Sequence, residues 1–319
     1  MKALCFSRFG GPDVLEYLDV PDPIPAAGQA RVRMKAIGMN FADIYRRRGN
    51  YHLEGTPPWI LGYEGAGVVE TAAGPFAAGD RVAFADAPMA NAALVCVPAD
   101  KLVPLPDDVP FETAAALLLQ GLTAHYLVHD SYALRAGDEV LVHAAAGGVG
   151  LLLAQIAAKK GARVVGLVSA EGKRAAVRAA GASAVVLYGE EWALRARAET
   201  PFARGFDVVY DSVGSTLRGS LRAAKIGGHV VFYGMSGGDP EPVDPRLLMD
   251  ESKTLTGGDL WNVLTSHDER VRRAGELFAA VRRGELTVTI GGTFALADGR
   301  RAHETLEGRG SIGKLLLLP

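Results

Sequence analysis

The stretch Leu141 to Ala154, LVHAAAGGVGLLLA, runs from an apolar segment of strand length through a cluster of small residues into a second apolar segment. That order specifies a strand, a tight turn and a helix. The small residues around Ala146, Gly147, Gly148 and Val149 let the backbone turn sharply and approach a ligand. Gly150 lets the helix pack closely on the strand, and the open N–H groups at the helix start attract a phosphate. Ala144 or Ala145 stands where a dinucleotide-binding fingerprint has its first glycine. The turn alone is therefore also compatible with a glycine-rich helix start in any buried β-α unit.

The residues that follow decide between these readings. Strand patterns at Val164–Val168, Ala184–Tyr188, Phe206–Tyr210 and His229–Tyr233 alternate with helical patterns at Lys173–Ala180, around Trp192 and at Thr216–Lys225. Such alternation predicts a doubly wound parallel sheet with helices on both faces. Before it, Lys2–Phe6, Leu15–Val20, Ala30–Ala36, Gly62–Glu70, Asp80–Ala85 and Leu94–Pro98 read as short strands divided by glycine and proline turns, the pattern of a small barrel. Phe41–Arg48 reads as a short helix capped by Asn40, and Phe111–Val128 as one or two apolar helices interrupted at Gly121. After Leu260 come a charged amphipathic helix at Ser266–Gly284, a strand at Leu286–Phe294, a helix at Arg300–Leu306 and a last strand at Leu315–Leu318. This tail is too short to fold alone and is expected to return to the first domain. The expected division is 1–123 with 263–319, and 124–262.

Composition narrows the function class. The net charge is −2, which offers no general field for nucleic acid or an anionic membrane. The longest apolar span, Val140 to Ala158, carries His143, Gln155 and the glycine turn, so a buried strand and helix explain it better than a membrane span. Cys5 and Cys96 are the only cysteines and form no CxxC, so neither a disulfide framework nor a cysteine-rich zinc lobe can be built. With no signal-peptide pattern at Met1–Lys2, a reducing cytoplasm is the expected location.

Six motifs occur in one order: NFADIYRRRG at Asn40–Gly49, GYEGAGVV at Gly62–Val69, QGLTAHYL at Gln120–Leu127, HAAAGGVG at His143–Gly150, FDVVYDSVGS at Phe206–Ser215 and VVFYGMSGG at Val230–Gly238. Together they resemble the medium-chain dehydrogenase/reductases, and within them the zinc-free quinone oxidoreductases related to ζ-crystallin, over essentially the whole chain. The resemblance implies a chaperonin-10-like β-barrel built from both chain ends, a Rossmann domain between them, an active site in the cleft, and a homodimer paired through the edge strand of the Rossmann sheet. Thr254–Leu260, TLTGGDL, is the expected edge.

Zinc-dependent relatives hold their metal with two cysteines and a histidine. The matching positions here carry Asn40, Tyr63 and Gln120, none a good zinc donor, and Glu64 alone cannot hold the ion. No metal is expected. Without a Lewis acid, quinones and electron-poor alkenes are easier hydride acceptors than a simple alcohol is a donor.

At the end of the second Rossmann strand, where NAD enzymes place an acid for the ribose hydroxyls, stand Val168 and Ser169. The resemblance assigns Lys173, Tyr188 and Arg309 to the 2′-phosphate, so NADPH is the expected cofactor. Glu171 is close enough to be mistaken for the ribose acid, and Lys173 on a charged helix is equally read as a solvated side chain. Thr123, Ser212 in the Asp211–Gly214 turn, and Gly234 and Ser236 in the Gly234–Gly237 turn are expected against the nicotinamide side, although each turn could be no more than a turn.

Asn40, Tyr45 and Tyr51 are the candidate catalytic residues. Asn40 and Tyr45 would bond the acceptor carbonyl and Tyr51 would stack on a quinone ring. The competing readings are that Asn40 caps the helix, that Asp43 balances Arg46–Arg48, and that Tyr51 is a loop residue. The Arg46–Arg48 run reads as a solvated face, and His125, His129, His143 and His229 as packing or surface residues. The expected activity is NADPH-dependent reduction of quinones or related α,β-unsaturated carbonyls. An enoyl or 2-alkenal C=C reductase is the alternative enzyme, and a structural or RNA-binding NADPH protein of low turnover is the alternative from another class. Near-neutral charge argues against the last.

Overall fold

The computed structural model describes residues 1–53 and 55–319. The chain divides into two compact units, Met1–Leu122 with Leu264–Pro319, and Thr123–Val263.

The first unit is built on the strand Gln29–Gly38. Its sequence QARVRMKAIG alternates, so Ala30, Val32, Met34 and Ala36 point into the core while Arg33 and Lys35 face water. It pairs antiparallel with Glu64–Thr71 and with Leu94–Pro98. Arg81–Ala85 and Leu102–Pro104 extend the sheet on one side. The C-terminal strand Lys314–Leu318 extends it on the other and then pairs parallel with Ile290–Ala295. A three-stranded sheet of Glu16–Asp19, Lys2–Phe6 and Trp59–Ile60 lies beside it. The tail thus supplies two strands of the first unit's sheet.

The second unit is a six-stranded parallel sheet in the spatial order Ala184–Leu187, Arg163–Val168, Glu139–Val142, Phe206–Asp211, Ala224–Phe232, Thr254–Gly257. In chain order that is 3-2-1-4-5-6, the doubly wound arrangement. The central strands EVLV and FDVVYD are buried at every position because helices cover both faces. The order reverses between Glu139–Val142 and Phe206–Asp211, which register Val140 with Val208 and Val142 with Tyr210. Ligands bind at the carboxyl ends of such a pair.

Two local expectations are corrected. Phe111–Tyr126 is one helix that continues into a π-helical turn at Leu127–Ser131, and Gly121 does not interrupt it. A Cβ at Gly121 would lie 2.9 Å from Leu117 Cδ1 and 3.1 Å from Leu277 Cδ1, so the glycine is there for close packing on the helix His267–Arg282. The Arg46–Arg48 run is not a solvated face: Arg46 and Arg47 are 2% and 0% exposed. Arg47 donates to the Gly10 carbonyl, meets His303 Nδ1 at 3.2 Å and pairs with Glu307, so the helix Phe41–Arg48 is anchored by its arginines.

Candidate active site

The helix Gly148–Lys159 begins directly after the strand Glu139–Val142 and the turn His143–Gly147. Gly147 is its N-cap and no side chain caps it, so the helix presents its first N–H groups and the positive end of its dipole to an anion. A Cβ at Gly150 would stand 2.6 Å from the Ala144 carbonyl oxygen and 2.7 Å from Ala145 Cα. Only glycine permits this approach of helix to turn. Ala144 takes φ 45°, and Ala145 N–H donates to the Leu167 carbonyl at 2.9 Å, which ties the turn to the neighbouring strand. The residues Ala146 to Gly150 therefore fit a dinucleotide phosphate, and the alanine in the place of the first glycine is accommodated by its positive φ.

Under this turn lies a buried chain of polar groups that the sequence did not reveal. Ala144 N–H donates to the Tyr188 hydroxyl at 3.0 Å, and Tyr188 meets His143 Nδ1 at 3.0 Å. His143 Nε2 meets Ser220 Oγ at 3.0 Å, and Ser220 Oγ donates to Asp211 Oδ2 at 2.6 Å. Asp211 also accepts from Val213 N–H, Gly214 N–H and the Thr216 hydroxyl, so it shapes the turn after its own strand. Burial pushes the Asp211 carboxyl up, but the facing His143 ring and the hydrogen bonds from Ser220, Val213 and Thr216 hold it below its ordinary value. Burial holds the His143 ring below the usual histidine range. His143 is thus part of a hydrogen-bonded network rather than simple packing, whereas His125 and His129 stack on each other at 4.2 Å and His229 packs on Tyr132.

The second strand of the sheet ends at Val168, with Ser169 exposed just beyond it. Glu171 is paired with Arg174 at 2.8 Å. Lys173 is half-buried at the start of the helix Arg174–Ala179, and burial lowers its ammonium. Arg309 belongs to the first unit, exposed, with φ 54°. Tyr188 follows the strand Ala184–Leu187, and its hydroxyl lies against Ala144 N–H and His143 Nδ1. The turns at the ends of the next two strands are bound together: Ser236 N–H and Oγ both donate to the Ser212 carbonyl at 3.0 Å, and Gly237 N–H donates to the Val213 carbonyl. Gly234 opens the same turn, and Thr123 is 8% exposed within its helix.

In the first unit, Asn40 lies in a buried cluster. Its Nδ2 donates to Glu64 Oε2 at 2.9 Å and to the Gly38 carbonyl at 3.3 Å. Its Oδ1 accepts from Lys314 Nζ at 2.8 Å and from Gln120 Nε2 at 3.5 Å. Both amide protons are used inside the protein. Asn40 is also the N-cap of the helix, as the competing reading had it, in a capping box in which Asp43 Oδ2 accepts from Asn40 N–H at 3.0 Å. Lys314, 1% exposed, was missed although a lysine heading the run KLLLL is a charge opening a buried strand. Burial lowers its ammonium while Glu64 opposes the shift.

Thus the neighbours of Asn40 and Gln120 are an ammonium, a carboxylate and a carboxamide. Among the described residues no three histidine, cysteine or acidic side chains converge as metal ligands. Tyr45 and Tyr51 meet edge to face, 6.1 Å apart. The Arg46 guanidinium lies over the Tyr63 ring at 3.5 Å and the Tyr51 ring at 5.0 Å, and it faces Asp43 at 3.6 Å. Tyr51 lies in the loop after the helix Phe41–Arg48, as the competing reading had it, with the Arg46 guanidinium over its ring. A cavity of about 450 Å³ lined by Phe76, Arg81, Leu105 and His267 contains none of the candidate residues.

Known proteins share this arrangement. An alcohol dehydrogenase GroES-like domain matches residues 26–130 and a zinc-binding dehydrogenase domain matches residues 148–279. A quinone oxidoreductase of Pseudomonas aeruginosa is 40% identical, with 100% of this chain and 99% of that protein covered. A 2-haloacrylate reductase of a Burkholderia species is 37% identical, with 100% and 99% covered. The crystal structure of Escherichia coli quinone oxidoreductase complexed with NADPH superposes with a TM-score of 0.96 at 36% identity, with 100% of both chains covered. From its GroES-like unit, its doubly wound sheet and these relatives, the chain belongs to the medium-chain dehydrogenase/reductase family, in its zinc-free quinone oxidoreductase branch.

Proposed function

We propose that this oxidoreductase reduces quinones and related α,β-unsaturated carbonyls with NADPH, without a catalytic metal. The observation that carries the reading is the uncapped helix start at Gly148 against a turn that only glycine at position 150 allows. That cradle fits a dinucleotide pyrophosphate. NADPH supplies the hydride. The backbone of Ala146, Gly147, Gly148, Val149 and Gly150 holds the pyrophosphate. Ser169 and Lys173 take the 2′-phosphate, with no acid at Val168 to repel it. Thr123, Ser212, Gly234 and Ser236 bound the nicotinamide side, and Ser236 joins the two turns by donating to the Ser212 carbonyl. The NADPH complex of the Escherichia coli relative supports this reading, and titration of the protein with NADPH tests it.

Tyr45 and Tyr51 are assigned to the acceptor. A phenol beside a second ring, with Arg46 behind it, presents a flat apolar surface and a hydroxyl donor, which suits a conjugated ring carrying a carbonyl. Lys314 and Glu64 do not touch the acceptor in this scheme; they hold Asn40 and, through it, the start of the helix that carries Tyr45. The Burkholderia relative favours a second reading, reduction of an activated C=C bond. The two share the cofactor and differ in the acceptor.

Oxidation of NADPH is to be followed with 1,4-benzoquinone, a short 2-alkenal and 2-chloroacrylate, beside the Tyr45→Phe and Tyr51→Ala variants. Turnover of quinone with a raised KM in both variants supports the reading. A faster 2-alkenal or haloacrylate than quinone transfers the assignment to C=C reduction, and no turnover of any acceptor sinks both.

A further inference from the structure

The helix Phe41–Arg48 places three arginines in its last turn, where the negative end of its dipole favours cations. Arg48 pairs with Glu307 at the surface, and Arg47 is spent on the Gly10 carbonyl, His303 and Glu307. Arg46 is used differently. Its side chain is buried, and among the described residues its only hydrogen bond runs from Nε to the His52 carbonyl at 3.0 Å. The carboxylate that faces it, Asp43, keeps Oδ1 3.6 Å from Nη1, too far for a hydrogen bond, and that oxygen accepts from no other described group.

Burial pushes the Asp43 carboxyl up against the pull of Arg46, which weakens it as a counter-ion. Asp86, which faces Arg46 from further away, is shared with Lys101 at 3.2 Å and Arg270 at 3.9 Å. Aromatic faces hold the guanidinium instead: the ring centres of Tyr63 and Tyr51 lie 3.5 Å and 5.0 Å from its Cζ. Stacking of this kind supports a delocalised cation without consuming an N–H. The Nη groups of Arg46 therefore keep their donors, in a place where little water screens the charge. Such a fork is complementary to a carboxylate, which takes parallel N–H bonds from it. A neutral ketone or ester offers it only a weaker acceptor.

We propose that Arg46 is a specificity-determining residue, one that selects acceptors carrying a carboxylate beside the conjugated carbonyl over neutral acceptors of the same shape. This rests on the reading above, in which Tyr45 and Tyr51 face the acceptor. Tyr51 links the two features, since its ring meets Tyr45 edge to face and lies beside the Arg46 guanidinium. A guanidinium that only braced the rings of Tyr51 and Tyr63 would serve charged and neutral acceptors alike. The charge of the acceptor therefore separates recognition from bracing.

The test compares trans-β-acetylacrylate with its methyl ester, which share one conjugated C=C bond and differ by a negative charge at neutral pH. Calorimetric titration in excess NADP⁺, where no hydride is available, gives both dissociation constants for the wild type, Arg46→Lys and Arg46→Met. The wild type is expected to bind the acid about tenfold or more tighter than the ester, the scale of a charge-assisted hydrogen bond. Arg46→Met should lower that ratio about tenfold, and Arg46→Lys should keep part of it, because the charge remains while the fork is lost. The acid:ester ratio of kcat/KM for NADPH oxidation should fall by a similar factor in Arg46→Met. Equal losses of acid and ester in Arg46→Met would make Arg46 a brace for the rings and overturn the proposal. A wild type that binds the acid no better than the ester, or binds neither, overturns it without any variant. If NADPH is oxidised with neither compound nor with 1,4-benzoquinone, the reductase reading fails, while the titration still decides whether Arg46 selects the carboxylate.

Discussion

Lys314 Nζ lies 2.5 Å from Glu64 Oε2, with side-chain exposures of 1% and 0%. Asn40 bridges the two, and Glu64 Oε1 accepts from Leu119 N–H at 2.7 Å. In the zinc-dependent relatives, the positions of Asn40 and Gln120 carry metal ligands. Here an ammonium supplies positive charge to the same neighbourhood, and its two amide neighbours are too weak as donors to hold zinc. The arrangement makes the lysine a structural counter-ion whose loss leaves a carboxylate buried alone.

Replacing Lys314 by methionine is accordingly expected to cost about 3–5 kcal/mol of stability, the usual effect of breaking one side of a buried pair. Changing both partners, Lys314→Met with Glu64→Gln, should restore a large part of it, because no net charge is then left in the core. Urea unfolding of the three proteins measures this. Equal destabilisation of the single and double variants would show that the lysine stem packs and its charge does nothing.

Gly150→Ala should fold and lose cofactor. The added methyl would stand 2.6 Å from the Ala144 carbonyl, so helix and turn must separate. Overpacking at this scale costs about 1–3 kcal/mol, and in a site shaped by that contact it appears as roughly ten- to hundredfold weaker NADPH binding. Calorimetry with NADPH, beside a far-ultraviolet circular dichroism spectrum to confirm the fold, checks it. Unchanged affinity would mean that the phosphate does not rest on this turn.

His303 gives the protein a defined sensitivity to acid. Its ring is wholly buried, and burial together with the Arg47 guanidinium beside Nδ1 pushes its pKa down to about 3. A folded-state pKa below the unfolded value means that only the unfolded chain takes up the proton as pH falls below about 6.5, so stability is full above that pH and declines down to about pH 3. At pH 5 the expected loss from this residue is about 2 kcal/mol. His303→Gln should therefore show a flatter fall in urea midpoint between pH 7 and pH 5 than the wild type. Parallel profiles would assign the acid sensitivity to other groups.

What could be read from the residues divides along a physical line. The doubly wound parallel sheet and the glycine turn follow from periodicity and glycine placement, which are local signals, and the return of the tail follows from its being too short to fold alone. The roles of Asn40 and Tyr188 are not local. The sequence offered Asn40 as a donor to substrate, and the fold sets its amide group against Glu64 and the Gly38 carbonyl and its oxygen against Lys314, far along the chain. The contacts of the Tyr188 hydroxyl with His143 and Ala144 could not be read from its place in the sequence. Arg46 and Arg47 looked solvated because a run of charge on a short helix usually is, yet the rings of Tyr51 and Tyr63, together with His303 and Glu307, enclose them. Hydrogen-bond capacity is spent between residues distant in sequence, and only the fold shows where.

The strand Thr254–Gly257 forms one edge of the parallel sheet, and among the described residues no further strand pairs with its outer side. Ile226, Leu247 and Met249, in the adjoining strand and helix, are 75%, 50% and 71% exposed. An unpaired edge beside apolar side chains favours pairing with a second copy of the chain. A Cβ at Gly257 meets nothing within 4 Å, so Gly257→Lys fits the single chain while placing a charge on the edge. We expect sedimentation of the wild type to report a dimer and that of Gly257→Lys a monomer with unchanged circular dichroism. A wild-type monomer would remove the edge-paired dimer altogether, and a variant that stays dimeric would place the contact on another face.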